Sequence, residues 1–341
     1  MDAILLTPAL TASPFGLFLL DKALKAAHAA GASPNRIVLP RGLDPALRAR
    51  FIGEAARQGL PCAEGPTPNS DDPFTAFLAE VPLDLRLPAG LHDWHAHTQF
   101  AYCGRGIDLQ DAAALSLALG VETQGFSEHA FALYFPGDAL KFRWQGNPAF
   151  VEQVWSTPGR GRMAAYRDWV KSLRPLLGPR VRFGLEVDLF GGGRFCLAPE
   201  DLEGWDYLIG AVHEVEGLAP GATQAEVESA WLRDVERLLT MPIAILAHPF
   251  RYFPWAGLPV PRHLYRPVAR MLAQAGIAAE INHHKNPFEL DFFRACLEEG
   301  TRISLGTDAH VTRDIADLLP HLRTLDELGL PLSETLRPAI Q

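Results

Sequence analysis

From Leu91 onward the chain repeats one rhythm: a short apolar run rich in β-favouring residues, then a stretch with apolar residues three and four apart. Runs over 181–185, 243–247 and 302–305 predict strands. The spacing predicts helices over 109–119, 163–177, 224–239, 262–275, 287–299 and 314–328. Strands alternating with helices are the pattern of a parallel α/β sheet or barrel. The long interruption at 131–161, with Trp144, Trp155 and several glycines and prolines, predicts a lid or binding loop.

The first 85 residues read differently. Apolar runs at 3–6 and 36–39 predict strands, and 17–30 has helical spacing that ends at Gly31. Asp44 followed by Pro45 is an N-cap and first-turn pair for a second helix, running to Gly59. From Pro61 to Gly90 proline, aspartate and serine accumulate, predicting a linker with one short helix near 74–79. The expected division is a small α/β domain and linker over 1–85, of no readable role, and an α/β barrel over 90–341.

Composition narrows the class. Of 341 residues, 48% are hydrophobic and 21% charged, an ordinary soluble enzyme, and the net charge of −9 argues against nonspecific nucleic-acid binding. Four cysteines (62, 103, 196 and 296) show neither CxxC spacing nor a dense disulfide pattern, which points to a reducing cytoplasm. No Lys or Arg precedes Lys22, and Pro8 and Pro14 break the early apolar runs, so neither a signal peptide nor a membrane span is expected. Oligomeric state is not legible.

The chemistry sits where the strands end. Metal-binding side chains close seven segments in turn: Asp93-Trp94-His95-Ala96-His97, Ser127-Glu128-His129, Leu185-Glu186-Val187-Asp188, Ala211-Val212-His213, Ala247-His248-Pro249, Glu280-Ile281-Asn282-His283-His284 and Thr307-Asp308-Ala309-His310. An α/β barrel gathers its active site at strand C-terminal ends, and seven contributing strands suit a closed barrel better than an open sheet. His95 and His97 share one face of an extended strand, as do Asp308 and His310. Asp93 shares the His95 face and could orient an imidazole, while Asp188 reads as a supporting acid. Glu186, inside an apolar strand, reads as a buried carboxylate that is paired or metal-bound.

This series resembles the PHP (polymerase and histidinol phosphatase) superfamily, in particular its histidinol-phosphatase-like members, from about Leu91 to Leu328. The resemblance implies a distorted (β/α)7 TIM-like barrel. It further implies that His95, His97, Glu186 and Asp308 hold a first metal, that Glu186 bridges to a second held by His213 and His248, and that His129 and His310 hold a third. Where many members carry another third-metal histidine, this chain has Cys103. A thiolate there is a good zinc ligand, and a buried small hydrophobe is the alternative.

Two or three divalent ions are therefore expected, with zinc favoured over manganese and iron for mixed imidazole and carboxylate donors. Metal-activated water is the expected nucleophile, because neither a GxSxG elbow nor a P-loop is present. Glu128 and Arg251 are candidates to assist the chemistry, Glu128 by orienting His129 or by proton transfer. Lys141, Arg143 and Arg251 are candidates to bind an anionic substrate. The leading expectation is a phosphatase for a small, histidinol-phosphate-like monoester. A phosphodiesterase or nuclease acting on nucleotides or short oligonucleotides is the first alternative, and a non-catalytic metal-stabilised module the second.

Overall fold

The computed structural model describes residues 4–6, 20, 24, 34–65, 87–101, 107–135, 158–190, 193–215, 217–219, 221–284, 289–311 and 314–337. The chain divides into two units, Met1–Leu87 and Pro88–Gln341.

In the first unit three short strands form a parallel sheet, β1 (Ile4–Leu5), β2 (Ile37–Pro40) and β3 (Cys62–Gly65), in that order. Helix α1 (Pro45–Arg57) begins as the sequence predicts. The Asp44 carboxylate accepts from the backbone N–H of Ala46 at 2.9 Å and of Leu47 at 3.1 Å, satisfying amides that the first turn leaves open. Leu6, Leu20, Leu24, Ile37, Leu39 and Phe51 bury one another into a small core. Strand β3 corrects the linker reading of 61–65: it pairs with β2 from Ile37↔Cys62 to Pro40↔Gly65. Its two middle residues are exposed, so it lacks the apolar alternation that would have revealed it. The helix expected near 74–79 lies outside the described residues.

The second unit carries a seven-stranded parallel sheet: β4 (His92–Asp93), β5 (Thr123–His129), β6 (Val181–Val187), β9 (Tyr207–Gly210), β10 (Ile245–Leu246), β11 (Ala278–Ile281) and β12 (Ile303–Leu305). A small antiparallel hairpin, β7 (Leu189–Phe190) and β8 (Arg194–Phe195), branches off after β6. The first and last strands of the sheet meet. Trp94 N–H donates to Leu305 O at 3.0 Å, Asp308 N–H to His95 O at 2.6 Å, and His97 N–H to Ala309 O at 3.0 Å. The sheet is thereby a barrel, as expected. Between the strands run α2 (Leu109–Ala118), α3 (Pro158–Leu177), α4 (Gln224–Leu238), α5 (Tyr265–Ala275), α6 (Leu290–Glu299) and α7 (Leu319–Leu328). The long interruption is shorter than predicted at both ends, because 130–134 form a buried helical turn and α3 already starts at Pro158. Among the described residues, no helix is long and apolar enough to cross a membrane.

Inside the barrel, Trp94, Ile209, Ala211, Ile245, Ala247 and Ala278 form a packed layer with Tyr207 against it. Tyr207 reaches across the interior and donates to Trp94 O at 2.6 Å. That placement requires glycine on the neighbouring strands. A Cβ on Gly125 would sit 2.3 Å from the Tyr207 hydroxyl oxygen, and one on Gly184 2.8 Å from its ring. The layer closes one half of the barrel and leaves the C-terminal strand ends free to hold polar groups.

Candidate metal centre

Register brings the candidate metal ligands together. His129 ends β5 and pairs in register with Glu186 on β6, and Glu186 pairs with Ile209 on β9. His213, His248 and Asp308 each follow a strand by two or three residues, and His95 and His97 follow β4. His248 and Asp308 have positive φ, at 29° and 52°. Neither is glycine, so both hold costly backbone conformations of the kind that collects at functional sites.

Glu186 is the hub. Its Oε1 lies 2.9 Å from His248 Nε2 and 3.6 Å from His213 Nε2. Its Oε2 lies 2.6 Å from His129 Nδ1, 3.6 Å from His95 Nε2 and 3.8 Å from His97 Nε2. Each carboxylate oxygen thus faces its own group of imidazoles. Asp308 Oδ1 stands 3.0 Å from His97 Nε2 and 3.6 Å from His95 Nε2. Among the described residues three overlapping donor sets gather within 4.8 Å: His95, His97 and Glu186; His129, Glu186 and His213; His97, His129 and His310.

Outer hydrogen bonds turn the imidazoles the same way. His95 Nδ1 meets Glu280 Oε1 at 2.8 Å, His97 Nδ1 meets Glu128 Oε1 at 3.2 Å, and His213 Nδ1 meets Asp188 Oδ1 at 2.6 Å. An ionised carboxylate can only accept, so each of these Nδ1 atoms carries the proton. His310 Nδ1 donates to the carbonyl oxygen of Asp308 at 2.7 Å. In a neutral ring that leaves the lone pair on Nε2, the atom a metal takes. Asp188 therefore supports His213, in line with its sequence reading. Asp93 does not orient a ring. Its oxygens accept from the Thr307 amide at 3.0 Å, the Thr307 hydroxyl at 2.7 Å and the His95 amide at 3.2 Å, which pins the barrel seam beneath the site.

Glu128 is committed to His97 and its neighbours. Besides the His97 contact, it accepts from Thr98 N–H at 3.1 Å, Thr98 Oγ1 at 2.6 Å and His129 N–H at 3.1 Å. Sequence reasoning placed Glu280 in one of the seven segments but gave it no role; it holds the ring of His95 and the amide of His248 (2.8 Å). The signal was present: Glu280 is an acid within an apolar strand, as Glu186 is. Arg251 is buried. Its Nη1 lies 2.7 Å from Asp308 Oδ2, and its Nη2 donates to Asn282 Oδ1 at 2.8 Å and His284 O at 3.2 Å. Cys103, Lys141 and Arg143 lie outside the described residues.

The electrostatics fit a cation site. Burial works against the charged form of Glu186, but His129, His213 and His95 outweigh it and hold its carboxyl well below the usual range. Burial likewise opposes ionised Asp308, and Arg251 and His95 more than offset that. Burial lowers His310 to about 2, so its ring stays neutral. His97 and His213 go the other way: their acidic partners overcome burial and push both up to about 9. Such a set of buried carboxylates demands positive charge close by. Protons supply it here, and divalent ions are the other means. His95 Nε2 is buried with no hydrogen-bond partner among the described residues, although two carboxylate oxygens stand 3.6 Å away. A buried, unpartnered ring nitrogen facing two acids suits a metal. The residues present fit the group.

A prediction follows for pH. In the metal-free protein His97 and His213 are protonated below about 9. Both pKa values are raised by folding, so the stability these rings add is full below about 6.5 and is lost as pH rises through about 9. His95 is protonated too: burial opposes its charge, but Glu280, Asp308 and Glu186 outweigh burial and hold the ring well above the usual imidazole range. A metal must displace all of these protons. Zinc uptake at pH 7 is expected to release about three protons per chain, one each from His95, His97 and His213, with affinity rising toward pH 9. Calorimetry in buffers of different ionisation enthalpy measures this, and uptake without proton release contradicts it.

No protein-family model matches the chain. The chain is similar to a probable phosphatase of Syntrophotalea carbinolica (strain DSM 2380 / NBRC 103641 / GraBd1), 29% identical over 164 residues. Those residues are 46% of this chain and 63% of that protein, so the match spans less than two thirds of the relative's length. A solved structure, the "putative histidinol phosphatase hisK from Listeria monocytogenes", aligns with a TM-score of 0.43 and 14% identity over 66% of this chain and 97% of that one.

Proposed function

We propose that this chain is a metal-dependent phosphoesterase of the PHP type, acting as a phosphatase on a small phosphomonoester. The carrying observation is Glu186, one carboxylate whose two oxygens face separate imidazole groups, an arrangement that would suit a ligand shared between neighbouring cations. The Syntrophotalea relative, named a probable phosphatase, supports the reaction class. The donor set favours zinc, then manganese or iron. His95, His97, Glu186 and Asp308 would hold one ion, Glu186, His213 and His248 a second, and His129 with His310 a third. Bound in this way, divalent ions supply Lewis acidity toward phosphate oxygens and activate water at neutral pH.

The remaining work belongs to the chain. Glu280, Glu128 and Asp188 fix the tautomers of His95, His97 and His213, so that Nε2 points inward without rearrangement. Arg251 holds Asp308 in place and brings a fixed positive charge to the site, available to an anionic substrate. The Trp255 indole, 52% exposed, sits 6.2 Å from the His213 ring and 5.5 Å from the Arg251 guanidinium, an apolar lip for the leaving group.

The test is a panel of phosphomonoesters and diesters with the full chain and added zinc, manganese or iron. Monoester hydrolysis that a chelator removes and metal restores is expected. Turnover of diesters alone would favour the nuclease alternative. Metal binding without hydrolysis of any ester would leave the non-catalytic module.

A further inference from the structure

At the opposite end of the barrel, beneath the Trp94 and Tyr207 layer, lies a cavity of about 570 Å³. This is within the roughly 300–1,000 Å³ range of small-molecule sites. It opens among the starts of the strands. Arg182 on β6 stands four residues before Glu186, which puts roughly 13 Å of strand between this cavity and the metal centre. Tyr207, bonded to Trp94 O, fills the barrel between them.

The charge of this cavity is unusual for the molecule. Among the described residues four arginines line it (Arg174, Arg182, Arg302 and Arg337) against a single acid, Asp206, in a chain of net charge −9. Asp206 is already engaged. Its oxygens take Arg174 Nη1 at 2.9 and 2.8 Å and the Phe183 amide at 2.7 Å, and Arg182 Nη1 comes no nearer than 3.8 Å. The Nε of Arg182 is buried and has no hydrogen-bond partner among the described residues. Arg302 donates to the Gly276 carbonyl, which cannot cancel its charge. Gathering like charges around a concave, partly apolar wall costs stability unless something negative enters, and such a wall focuses the field on an anion. Trp94, Ile245 and Leu336 give that wall its apolar part.

We propose that this cavity is a second binding site, for a small organic anion with two or more negative phosphate or carboxylate charges beside a flat apolar group. The inference is independent of the phosphatase reading, because it uses none of the metal-centre residues. The guanidiniums of Arg182 and Arg337 take the anionic end and the apolar wall takes the flat part, a division that suits planar, bidentate recognition of phosphate or carboxylate by arginine.

The full-length chain, and its Glu186→Gln variant, are titrated with pyrophosphate, adenosine diphosphate and citrate by calorimetry and tryptophan fluorescence. Saturable binding of at least one probe is expected with equal affinity in both proteins. Pyrophosphate against citrate separates phosphate from carboxylate recognition, and adenosine diphosphate reports the contribution of a ring. Arg182→Gln and Arg337→Gln should each weaken binding about tenfold, the scale of one lost charge-assisted hydrogen bond. Arg337 is on an exposed segment, so its variant keeps the test intact should Arg182→Gln fold poorly. Absence of saturable binding below about 1 mM, a range of weak affinity, overturns the proposal. So does binding that Glu186→Gln abolishes while both arginine variants retain it, since the probe would then sit in the metal centre.

Discussion

Glu186→Gln is expected to lower phosphomonoester turnover by about 10²-fold or more, and to lower metal content with it. The amide keeps the shape of the side chain and removes the charge that His248, His213, His129 and His95 face at 2.6–3.6 Å. Loss of an outer hydrogen-bonding partner of a metal ligand costs about 10–100-fold, and a shared direct ligand should cost at least that. The fold should survive, because Glu186 makes its contacts inside the site and the paired backbone of β6 is untouched. Steady-state kinetics and metal analysis of the same preparation decide the matter. Near-parental turnover would mean that Glu186 is not shared between cations.

The second large effect is expected at a residue that carries no chemistry. A Cβ on Gly306 would fall 2.0 Å from Glu280 Oε1 and 2.6 Å from His95 Cβ. Both neighbours are fully buried, and neither can swing away without breaking the contact that fixes the His95 ring. Gly306→Ala should therefore destabilise the barrel by about 2–3 kcal/mol, the scale of overpacking in a filled interior. For a unit of this size that is a fall in melting temperature of about 5–10 °C. Metal affinity should fall too, since His95 must shift. Gly306→Ala with unchanged melting and unchanged metal content would show that the Glu280 and His95 pair is not held as described.

The sequence carried much of this arrangement, for a physical reason. Strand ends in a barrel converge whatever their separation in sequence, so His95, His129, Glu186, His213, His248 and Asp308 could be grouped before their distances were known. The outer layer was less legible, because it depends on which strands neighbour each other and on side-chain reach. Asp93 looked like a partner for an imidazole on its own strand. Its oxygens are used instead by Thr307, 214 residues away, across a seam that exists only once the barrel closes. Glu128, read as a partner of His129, reaches His97 and Thr98 just past the neighbouring strand. The need for glycine at 306 follows from the position of Glu280 on β11, which no local pattern shows. In the first unit, β3 was hidden because its exposed middle residues gave no alternation to read.

The central claim is a polynuclear metal centre organised around Glu186. Elemental analysis of the full chain, purified without chelator and compared with Glu186→Gln prepared identically, tests it most directly. The expected result is two or more divalent transition-metal ions per parental chain, with a clear loss in the variant. At most one ion in the parental protein, with no gain on adding zinc or manganese, would contradict it.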